Sequence, residues 1–278
     1  MHSRPSQRTK SPALRRVVAL LALLFDIGIA ASVFRKGALM LVEPRQHCQF
    51  ISTYCNAKEA AASWNWDLVI AHGLGARAFW KAMICDGIDG PQPFYYQIGH
   101  ANFSSGDSYS DFLKRSNLWA WLWSEAFSHV IITQTDVHIN PSVSIVPYVM
   151  KYDYIGCRTR WRRYEYPPSL RDQGVMAVNG GFSLRSVSYA LKSIKAFPAN
   201  LTKAWPKHQA QDWSGNHEDV FFLWGTWLLG GSIPTGRIVE RGWCSQKSSN
   251  VLLKVAVHKP YFQLHRRGGF FGHNTYCQ

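Results

Sequence analysis

The chain has 278 residues, of which 46% are apolar and 17% are charged. This composition excludes a disordered chain and supplies enough apolar side chains for the core of one large domain or two small ones. The formal net charge of +14 indicates an anionic partner, such as a phosphorylated ligand, a membrane surface or nucleic acid. The basic residues are dispersed, without zinc-finger spacing, an RNP-like aromatic string or a long Lys/Arg tract, so we expect no nucleic-acid binding.

The six cysteines contain no CxxC pair, which argues against a zinc site and against thioredoxin-like chemistry. An even number of cysteines is compatible with disulfides if the chain is exported to an oxidising compartment. The sequence leaves their connectivity open.

The N-terminus combines a basic tail with an apolar run. Residues 1–16 contain no acid, and residues 17–34 are apolar apart from Asp26. A positive flank before such a run is typical of a signal anchor or a cleaved signal peptide, whereas a buried helix of the domain is a third interpretation. We therefore expect a type II protein of the ER or Golgi membrane with a lumenal domain, or a secreted protein. Sequons at Asn102 and Asn200 fit either location.

Three elements are predicted between residues 38 and 73. "ALMLVEPR" (38–45) predicts a short buried strand that ends in a turn at Pro44. "KEAAASWNW" (58–66) favours a helix, and "DLVIAHG" (67–73) predicts a second strand.

The next segment predicts a long helix followed by the strongest strand of the chain. Residues 109–127 carry apolar side chains at helical spacing, with Ser110 as a candidate N-cap. Residues 128–136, "SHVIITQTD", predict a buried strand that ends at polar residues. Alternating strands and helices predict a parallel α/β sheet, in which ligands bind beyond the carboxyl ends of the strands, where Asp136 lies.

The second half predicts two loops before its regular elements. Residues 151–169 are basic and contain prolines, and Asn179-Gly180-Gly181 predicts a flexible turn. After these, the pattern predicts a helix over 187–197, a helix over 216–231 closed by two glycines, and a strand within 252–262 that finishes at His258.

Several polar residues have both a structural and a chemical interpretation. Asp136 could cap a loop, or it could bind a divalent ion that bridges two phosphates, with His258 as a second ligand. Glu218 and Asp219 could be ordinary first-turn acids, or one of them could be a general base. The glycine pair 180–181 could form a turn, or it could let the backbone approach a ligand closely. The residues alone leave these alternatives open.

Seven motifs nevertheless occur in one order across about residues 38 to 265: "VEPR", the helix ending in "NLWAWLWSEAF", "VIITQTD", "YDYIGC", "VNGGFSLRS", "HEDVFF" and "VHK". This ordered set resembles a family of largely uncharacterised glycosyltransferase-like domains with a QTD tripeptide. More distantly, it resembles β1,3-galactosyltransferase and Fringe-type enzymes of the GT-A fold. The resemblance implies an α/β, GT-A-like single domain over 38–278, with a mostly parallel central sheet flanked by helices and preceded by an N-terminal hydrophobic helix.

The resemblance also implies an activity and a site. The expected reaction transfers a sugar from a nucleotide-sugar donor to a hydroxyl of a glycan, glycoprotein or glycolipid acceptor, with inversion. Asp136 and His258 would bind Mn²⁺ or Mg²⁺ on the diphosphate, and Asp219, or its neighbour Glu218, would be the catalytic base. The residues expected around the donor are Glu43, Arg45, Gln134, Thr135, Asn179, Gly180 and Gly181.

One position departs from the family pattern. Gln134 stands where a DxD motif has its first acid, so a metal-dependent enzyme and a metal-independent one both remain open. Without metal, Lys259 or the basic segment 158–163 would neutralise the phosphate charge. A non-catalytic nucleotide- or carbohydrate-binding protein that retains the fold is the alternative function.

Overall fold

The computed structural model describes residues 37–45, 50–83, 85, 87–99, 103, 106–158, 177–197, 217–234, 243–245 and 255–258. All of these belong to one compact unit. The predicted N-terminal hydrophobic helix (17–34), both sequons, Lys259 and residues 159–163 lie outside the described residues.

One sheet forms the centre of the described part of the chain. Its strands are Ala38–Glu43 (β1), Asp67–His72 (β2), Phe94–Gln97 (β3), His129–Thr133 (β4), Val137–Ile139 (β5), Tyr154–Arg158 (β6), Ala177–Ser186 (β7), Cys244–Ser245 (β8) and Ala256–His258 (β9). Their order across the sheet is β3-β2-β1-β4-β7-β6-β8-β9-β5.

The sheet has a parallel half and a mixed half. β3, β2, β1 and β4 are parallel neighbours, whereas β7 is antiparallel to both β4 and β6. β6, β8 and β9 are again parallel to one another, and β5 closes the sheet antiparallel to β9. The predicted α/β architecture is confirmed, with a mixed sheet.

Helices cover both faces of the sheet. The described helices are Ile51–Ser63 (α1), Arg77–Lys81 (α2), Gly106–Leu113 (α3), Ser116–Ser124 (α4), Val146–Val149 (α5), Val187–Ala196 (α6) and Glu218–Leu228 (α7). Side chains of a strand alternate between faces, and β1 shows the consequence. Met40 and Val42 pack in the core formed with α3, α4, α6 and α7. Leu39 and Leu41 pack in the core on the side of α1 and α2.

The predicted strands at 38–43, 67–72 and 129–133 are confirmed, as are the helix after Ser186 and the end of a strand at His258. The predicted closure of α7 by glycines is also confirmed. Gly230 has a φ of +78°, and the Gly230 and Gly231 amides donate to the Trp227 and Thr226 carbonyls at 2.9 and 2.8 Å. This pair of hydrogen bonds is a Schellman motif, which satisfies carbonyls that the helix itself leaves without donors.

The single helix predicted over 109–127 is wrong, because the structure has two helices there. Arg115 is extended, with φ −74° and ψ 129°, and this breaks the helical hydrogen-bond pattern. The Trp119 indole donates to the Leu113 carbonyl at 2.6 Å, which satisfies an acceptor at the end of α3. Because α3 begins at Gly106, Ser110 is inside this helix and is not its N-cap. The helix predicted from residue 58 in fact begins at Ile51.

The two predicted loops are also corrected. Asn179-Gly180-Gly181 lies within the ten-residue strand β7, and the segment from residue 151 contains strand β6. Both strands are central, and their register shifts between Gly156 and Arg158. Glycine is a normal residue at such an irregularity, because it lets a neighbouring element approach the backbone.

Two disulfides lie within the described residues. Cys55 in α1 is bonded to Cys85, and Cys157 in β6 is bonded to Cys244 in β8. In the portion of the chain that the structure describes, every helix is too short or too polar to cross a bilayer.

Candidate functional site

Polar residues collect where the parallel strands end. In the register of the sheet, Glu43 is opposite His72, and His72 is opposite Gln97. Gln134 follows directly after β4, which runs beside β1. A pocket of about 320 Å³ lies at this edge and is lined by Val42, Glu43, Pro44, Arg45, Phe103, Tyr109, Gln134, Thr135 and Asp136. Its location agrees with the rule that open α/β sheets bind ligands beyond the carboxyl ends of their strands.

One wall of the pocket is an ion pair after β1. The Arg45 guanidinium donates two hydrogen bonds of 2.7 Å to the two carboxylate oxygens of Glu43, and the Arg45 amide donates a third at 3.0 Å. Glu43 is buried, while the Arg45 side chain is 48% exposed and lies over the Phe50 ring at 5.1 Å. The arginine is thus held in a fixed orientation with part of its positive charge at the pocket.

The QTD residues are fixed through their backbone. The Gln134 amide donates to the Gly181 carbonyl at 2.9 Å, and the Thr53 hydroxyl of α1 donates to the Thr135 carbonyl at 3.0 Å. Asp136 is on the pocket wall, and its Oδ1 atom is almost completely enclosed. Two distant segments therefore hold the backbone immediately before Asp136.

The structure brings His258 next to this aspartate along the sheet. In the antiparallel pairing of β5 with β9, His258 is opposite Val137, the residue after Asp136. The sequence separates the two by 122 positions (258 − 136), yet the backbone places them one register step apart.

Gly180 connects the QTD segment to the acids at the start of α7. Its amide donates to Asp219 Oδ2 at 3.2 Å. A Cβ on Gly180 would overlap Glu218 Oε1 and would lie 2.9 Å from Arg185 Nη2. The glycine predicted to form a turn is therefore required because a carboxylate approaches the backbone, which leaves no space for a side chain.

Glu218 belongs to a buried network. Its Oε1 accepts from Arg185 Nη2 at 3.2 Å, and its Oε2 accepts from the Ser110 hydroxyl at 2.9 Å. Arg185 is 1% exposed, donates through Nε to the Ser183 hydroxyl at 2.9 Å and lies over the Phe222 ring at 4.9 Å. Its Nη1 atom has no hydrogen-bond partner among the described residues. Both members of the ion pair are fixed by neighbours, as a buried charge requires.

Asp219 has a different environment. It accepts from the Val220 amide at 2.8 Å through Oδ1 and from the Gly180 amide through Oδ2. Burial, and next the negative charge of Glu218, raise its pKa to about 7, and the two backbone amides and Arg185 oppose that rise. A carboxyl group with this pKa can both accept and release a proton near neutral pH.

Tyr109 lies between the two groups of acids, and no sequence pattern marks it as a site residue. It lines the pocket beside Asp136, and burial, and next the charge of Glu218, raise its pKa well above the usual range. Arg185 and Gln134 lower that pKa and Asp136 raises it, so the phenol is within electrostatic range of both acid groups. Its buried hydroxyl has no hydrogen bond of good geometry within the described residues.

The predicted residues therefore fall into three groups. Glu43, Arg45, Gln134, Thr135 and Asp136 line the pocket. The two glycines and the two acids of α7 adjoin it through the hydrogen bonds of Gln134 and Gly180.

The third group is His258 and Asn179, for which the structure describes only the position of the backbone. His258 is opposite Val137, and Asn179 is opposite Cys157. Within the described ranges there is no cluster of three His, Cys, Asp or Glu side chains that could hold a metal ion.

The sequence analysis assigned no site role to Tyr109, Phe103 or Arg185, and it considered Ser110 only as a helix cap. Arg185 had a usable signal, because a strand paired on both sides and flanked by helices has two covered faces. A charged residue in such a strand must then have a buried partner.

A comparison with protein families finds one family whose model matches this chain. Residues 95–238 match a family described as "Protein of unknown function (DUF5672)". The match covers 144 of the 278 residues (238 − 95 + 1), or about half of the chain. The chain belongs to this family. No curated protein matches it.

Proposed function

We propose that this protein is a GT-A-like glycosyltransferase that moves a sugar from a nucleotide-sugar donor to an acceptor hydroxyl with inversion. Asp219 is the general base in this proposal, and the pocket beside Glu43 and Asp136 holds the donor. The acceptor class is a glycan, a glycoprotein or a glycolipid.

One observation carries the proposal. Hydrogen bonds join the QTD segment to the acids of α7 through two consecutive glycines, from Gln134 to Gly181 and from Gly180 to Asp219. Residues that the family resemblance assigns to diphosphate binding and to proton removal thus adjoin one pocket at the carboxyl edge of the sheet. Sugar transfer needs both functions within the length of one donor sugar.

The two acids of α7 have different roles. Glu218 is bonded to Arg185 and Ser110, so it orients the start of α7 and keeps negative charge beside Asp219. That charge, together with burial, raises the pKa of Asp219 to about 7. An acceptor hydroxyl gives its proton to the Asp219 carboxylate as its oxygen attacks the sugar, and a base with a pKa close to the working pH is most effective in this step.

The donor side fits a divalent ion with few protein ligands. The enclosed Oδ1 of Asp136 is at the pocket, and the backbone of His258 lies opposite Val137, the next residue in the chain. Mg²⁺ commonly uses one or two carboxylates and completes its coordination with phosphate oxygens and water, and Mn²⁺ also accepts histidine. Bound there, such an ion supplies neutralisation of the charge that develops on the leaving diphosphate. The half-exposed Arg45 guanidinium is placed to contact phosphate or ribose oxygens.

The proposed location is the ER or Golgi membrane, with residues 17–34 as a signal anchor and the domain in the lumen. Secretion after signal cleavage is the alternative. The two disulfides support export, because disulfides persist in oxidising compartments.

The decisive experiment separates donor binding from transfer in the full chain. Wild type and Asp219→Asn are assayed against a panel of nucleotide sugars, with thermal shift as the measure of binding and sugar transfer or donor hydrolysis as the measure of turnover. We expect Asp219→Asn to keep the thermal shift and to lose about 100-fold or more of the turnover, as expected for loss of a general base. Asp89→Asn, at an exposed aspartate, is the control for the loss of one carboxylate.

Wild-type turnover in Asp219→Asn would remove the base assignment. The metal assignment has its own readout, since Asp136→Ala should abolish any increase that Mn²⁺ causes in the thermal shift produced by the nucleotide. An equal Mn²⁺ effect in this variant and in wild type would contradict it.

A specific observation favours the alternative, a nucleotide- or carbohydrate-binding protein without turnover. Gln134 replaces an acid at the pocket, and both oxygens of Asp219 accept backbone hydrogen bonds, an arrangement that also suits a structural carboxyl group. Saturable nucleotide binding without turnover across the whole donor panel would support this alternative and exclude the enzyme.

A further inference from the structure

Exposed apolar side chains concentrate at the amino edge of the sheet, which is the edge opposite to the pocket. The seven large exposed apolar residues among those described are Ile51, Leu74, Phe94, Trp123, Val146, Met150 and Leu228. Ile51 and Leu74 are near the carboxyl ends of the strands, at the start of α1 and just after β2. The other five belong to segments at the amino edge.

The register of the sheet defines this edge. Ala38 at the start of β1 is opposite Asp67 and Val130. Arg185 is opposite both Val130 and Tyr154, so β6 begins level with β1. The amino ends of β1, β2, β4 and β6 therefore lie along one side of the domain.

Three of the exposed residues lie at this edge because they are in segments that lead into β6 or β4. Met150 and Val146 belong to the short segment that leads into β6. Trp123 is in the last turn of α4, which leads into β4.

Phe94 and Leu228 complete the surface. Phe94 begins β3 and contacts Phe127 at a ring distance of 5.7 Å. Leu228 ends α7, and the chain after it joins the start of β6 where the Asp153 amide donates to the Ser232 carbonyl at 2.8 Å.

The chain also constrains what this surface can contact. The apolar run 17–34 ends three residues before β1 begins at Ala38. The four Cα–Cα steps from residue 34 to Ala38 span at most about 14 Å. If the run is in a bilayer, as the proposed signal anchor requires, the start of β1 is within reach of the head groups, and the pocket is at the opposite end of the strands.

We infer that the amino edge, defined by Phe94, Trp123, Val146, Met150 and Leu228, is a lipid-contacting surface that rests on the same bilayer as the proposed anchor. Aromatic and aliphatic side chains separated by polar residues suit shallow insertion between head groups. Lys151, exposed beside Met150, can reach lipid phosphate. Glu125 is exposed at the same edge, so we expect apolar insertion to contribute more than charge, and binding to persist on neutral phosphatidylcholine.

The test compares two similarly exposed apolar residues, one at the amino edge and one at the carboxyl edge of the sheet. Met150 is 66% exposed and Leu74 is 60% exposed. The full chain is reconstituted in phosphatidylcholine nanodiscs with a photo-crosslinking benzoylphenylalanine in place of either residue, and adducts are identified by mass spectrometry. We expect at least a fivefold excess of lipid adducts at position 150 over position 74. A third probe at Trp123 should behave like the one at position 150.

Equal lipid adducts at the two edges, or more at position 74, would overturn the inference. Adducts between position 150 and a second copy of the chain would also overturn it, because they would identify the surface as a dimer interface. This inference rests on the proposed anchor, and release of the chain from the nanodisc would overturn both. Sugar transfer is measured separately in the same samples, so loss of the enzymatic proposal leaves the lipid result readable.

Discussion

The Glu43–Arg45 pair and the Glu218–Arg185 pair both belong to the candidate site, but they differ in exposure to water. Arg45 is 48% exposed and makes two short hydrogen bonds to its acid. Arg185 is 1% exposed and makes one longer contact of 3.2 Å, but it also contacts Ser183 and an aromatic ring. Short distances alone therefore do not identify the pair on which the fold depends.

The two ion pairs serve different purposes, one in folding and the other at the ligand pocket. In the Glu43–Arg45 pair the carboxylate is buried but the guanidinium is half exposed, so water screens the pair from the arginine side and we expect it to contribute less to folding than a fully buried pair. A buried pair contributes little net energy when intact, yet its loss is costly because one charge remains without a partner. We expect substitutions at Arg185 to act on folding and substitutions at Arg45 to act on ligand binding.

The largest effect is expected from Arg185→Met. The change leaves the Glu218 carboxylate buried without its cation, so we expect a loss of about 3–5 kcal/mol in the free energy of unfolding, measured by urea denaturation. Arg115→Met, at an exposed arginine, is the control and should change stability by less than about 1 kcal/mol. In a double-mutant cycle, Glu218→Gln should cost much less in the Arg185→Met background than in wild type. Additive costs would show that the two side chains are not coupled.

The next largest effect is expected from Gly180→Ala. The new methyl group overlaps Glu218 Oε1 and lies 3.0 Å from the Asp219 Cβ atom, so α7 must move. We expect a loss of about 1–3 kcal/mol in unfolding free energy. Gly99→Ala is a matched control, because a Cβ there meets nothing within 4 Å. If the two variants were equally stable, the close approach of Glu218 to the strand would be contradicted.

A smaller effect is expected in the pH dependence of stability. The pKa of Asp219 is raised from 3.8 to about 7 in the folded protein, so between these values the folded state holds a proton that the unfolded chain releases. The contribution of Asp219 to the free energy of unfolding therefore falls as the pH rises from about 4 to 7.

Asp219→Asn removes this titration. The unfolding free energy of the variant relative to wild type should increase between pH 5 and pH 7.5, by on the order of 1–2 kcal/mol. Urea denaturation at several pH values measures this trend, and Asp89→Asn serves as the control for removing one charge. A constant difference between Asp219→Asn and wild type over this range would contradict the raised pKa.

The smallest effect on stability is expected from Arg45→Met. Glu43 is buried, but the pair lines the pocket and its arginine is half exposed. We therefore expect a loss of about 1 kcal/mol, well below that of Arg185→Met, and this loss should shrink in 1 M NaCl because salt screens the arginine. The same variant should weaken nucleotide binding in a thermal-shift titration, because the guanidinium is at the pocket. A loss as large as that of Arg185→Met would remove the distinction between the two pairs.

The sequence was sufficient to predict those helices and strands whose burial produces a local pattern of apolar residues. β1, β2 and β4 have continuous apolar runs because both faces of these strands are covered, and the end of α7 is marked by Gly230. The break between α3 and α4 was not predictable from periodicity, because Arg115 interrupts the hydrogen bonds without interrupting the spacing of apolar side chains.

The glycines at 180 and 181 show a second limit. Adjacent glycines are typical of turns, but Gly180 lies within a strand. It is needed there because Glu218, 38 positions later (218 − 180), occupies the space that a side chain would fill. The partner of Arg185 is equally remote, at 33 positions. Contacts between residues this far apart depend on the sheet order, which no local pattern contains. The location of Asp136 and of the acids of α7 at strand and helix ends was predictable, while the network around them was not.

The bridge between Cys157 and Cys244 has a consequence for how the protein matures. It joins β6 to β8, whose described pairing with β6 is Arg158 opposite Ser245. β8 in turn carries β9, and β9 ends at His258. Thiol oxidation therefore attaches β8, and through it β9, covalently to β6 near the centre of the sheet. Under the proposed export, formation of this bond, and with it the attachment of the strand that carries His258, follows arrival in an oxidising compartment.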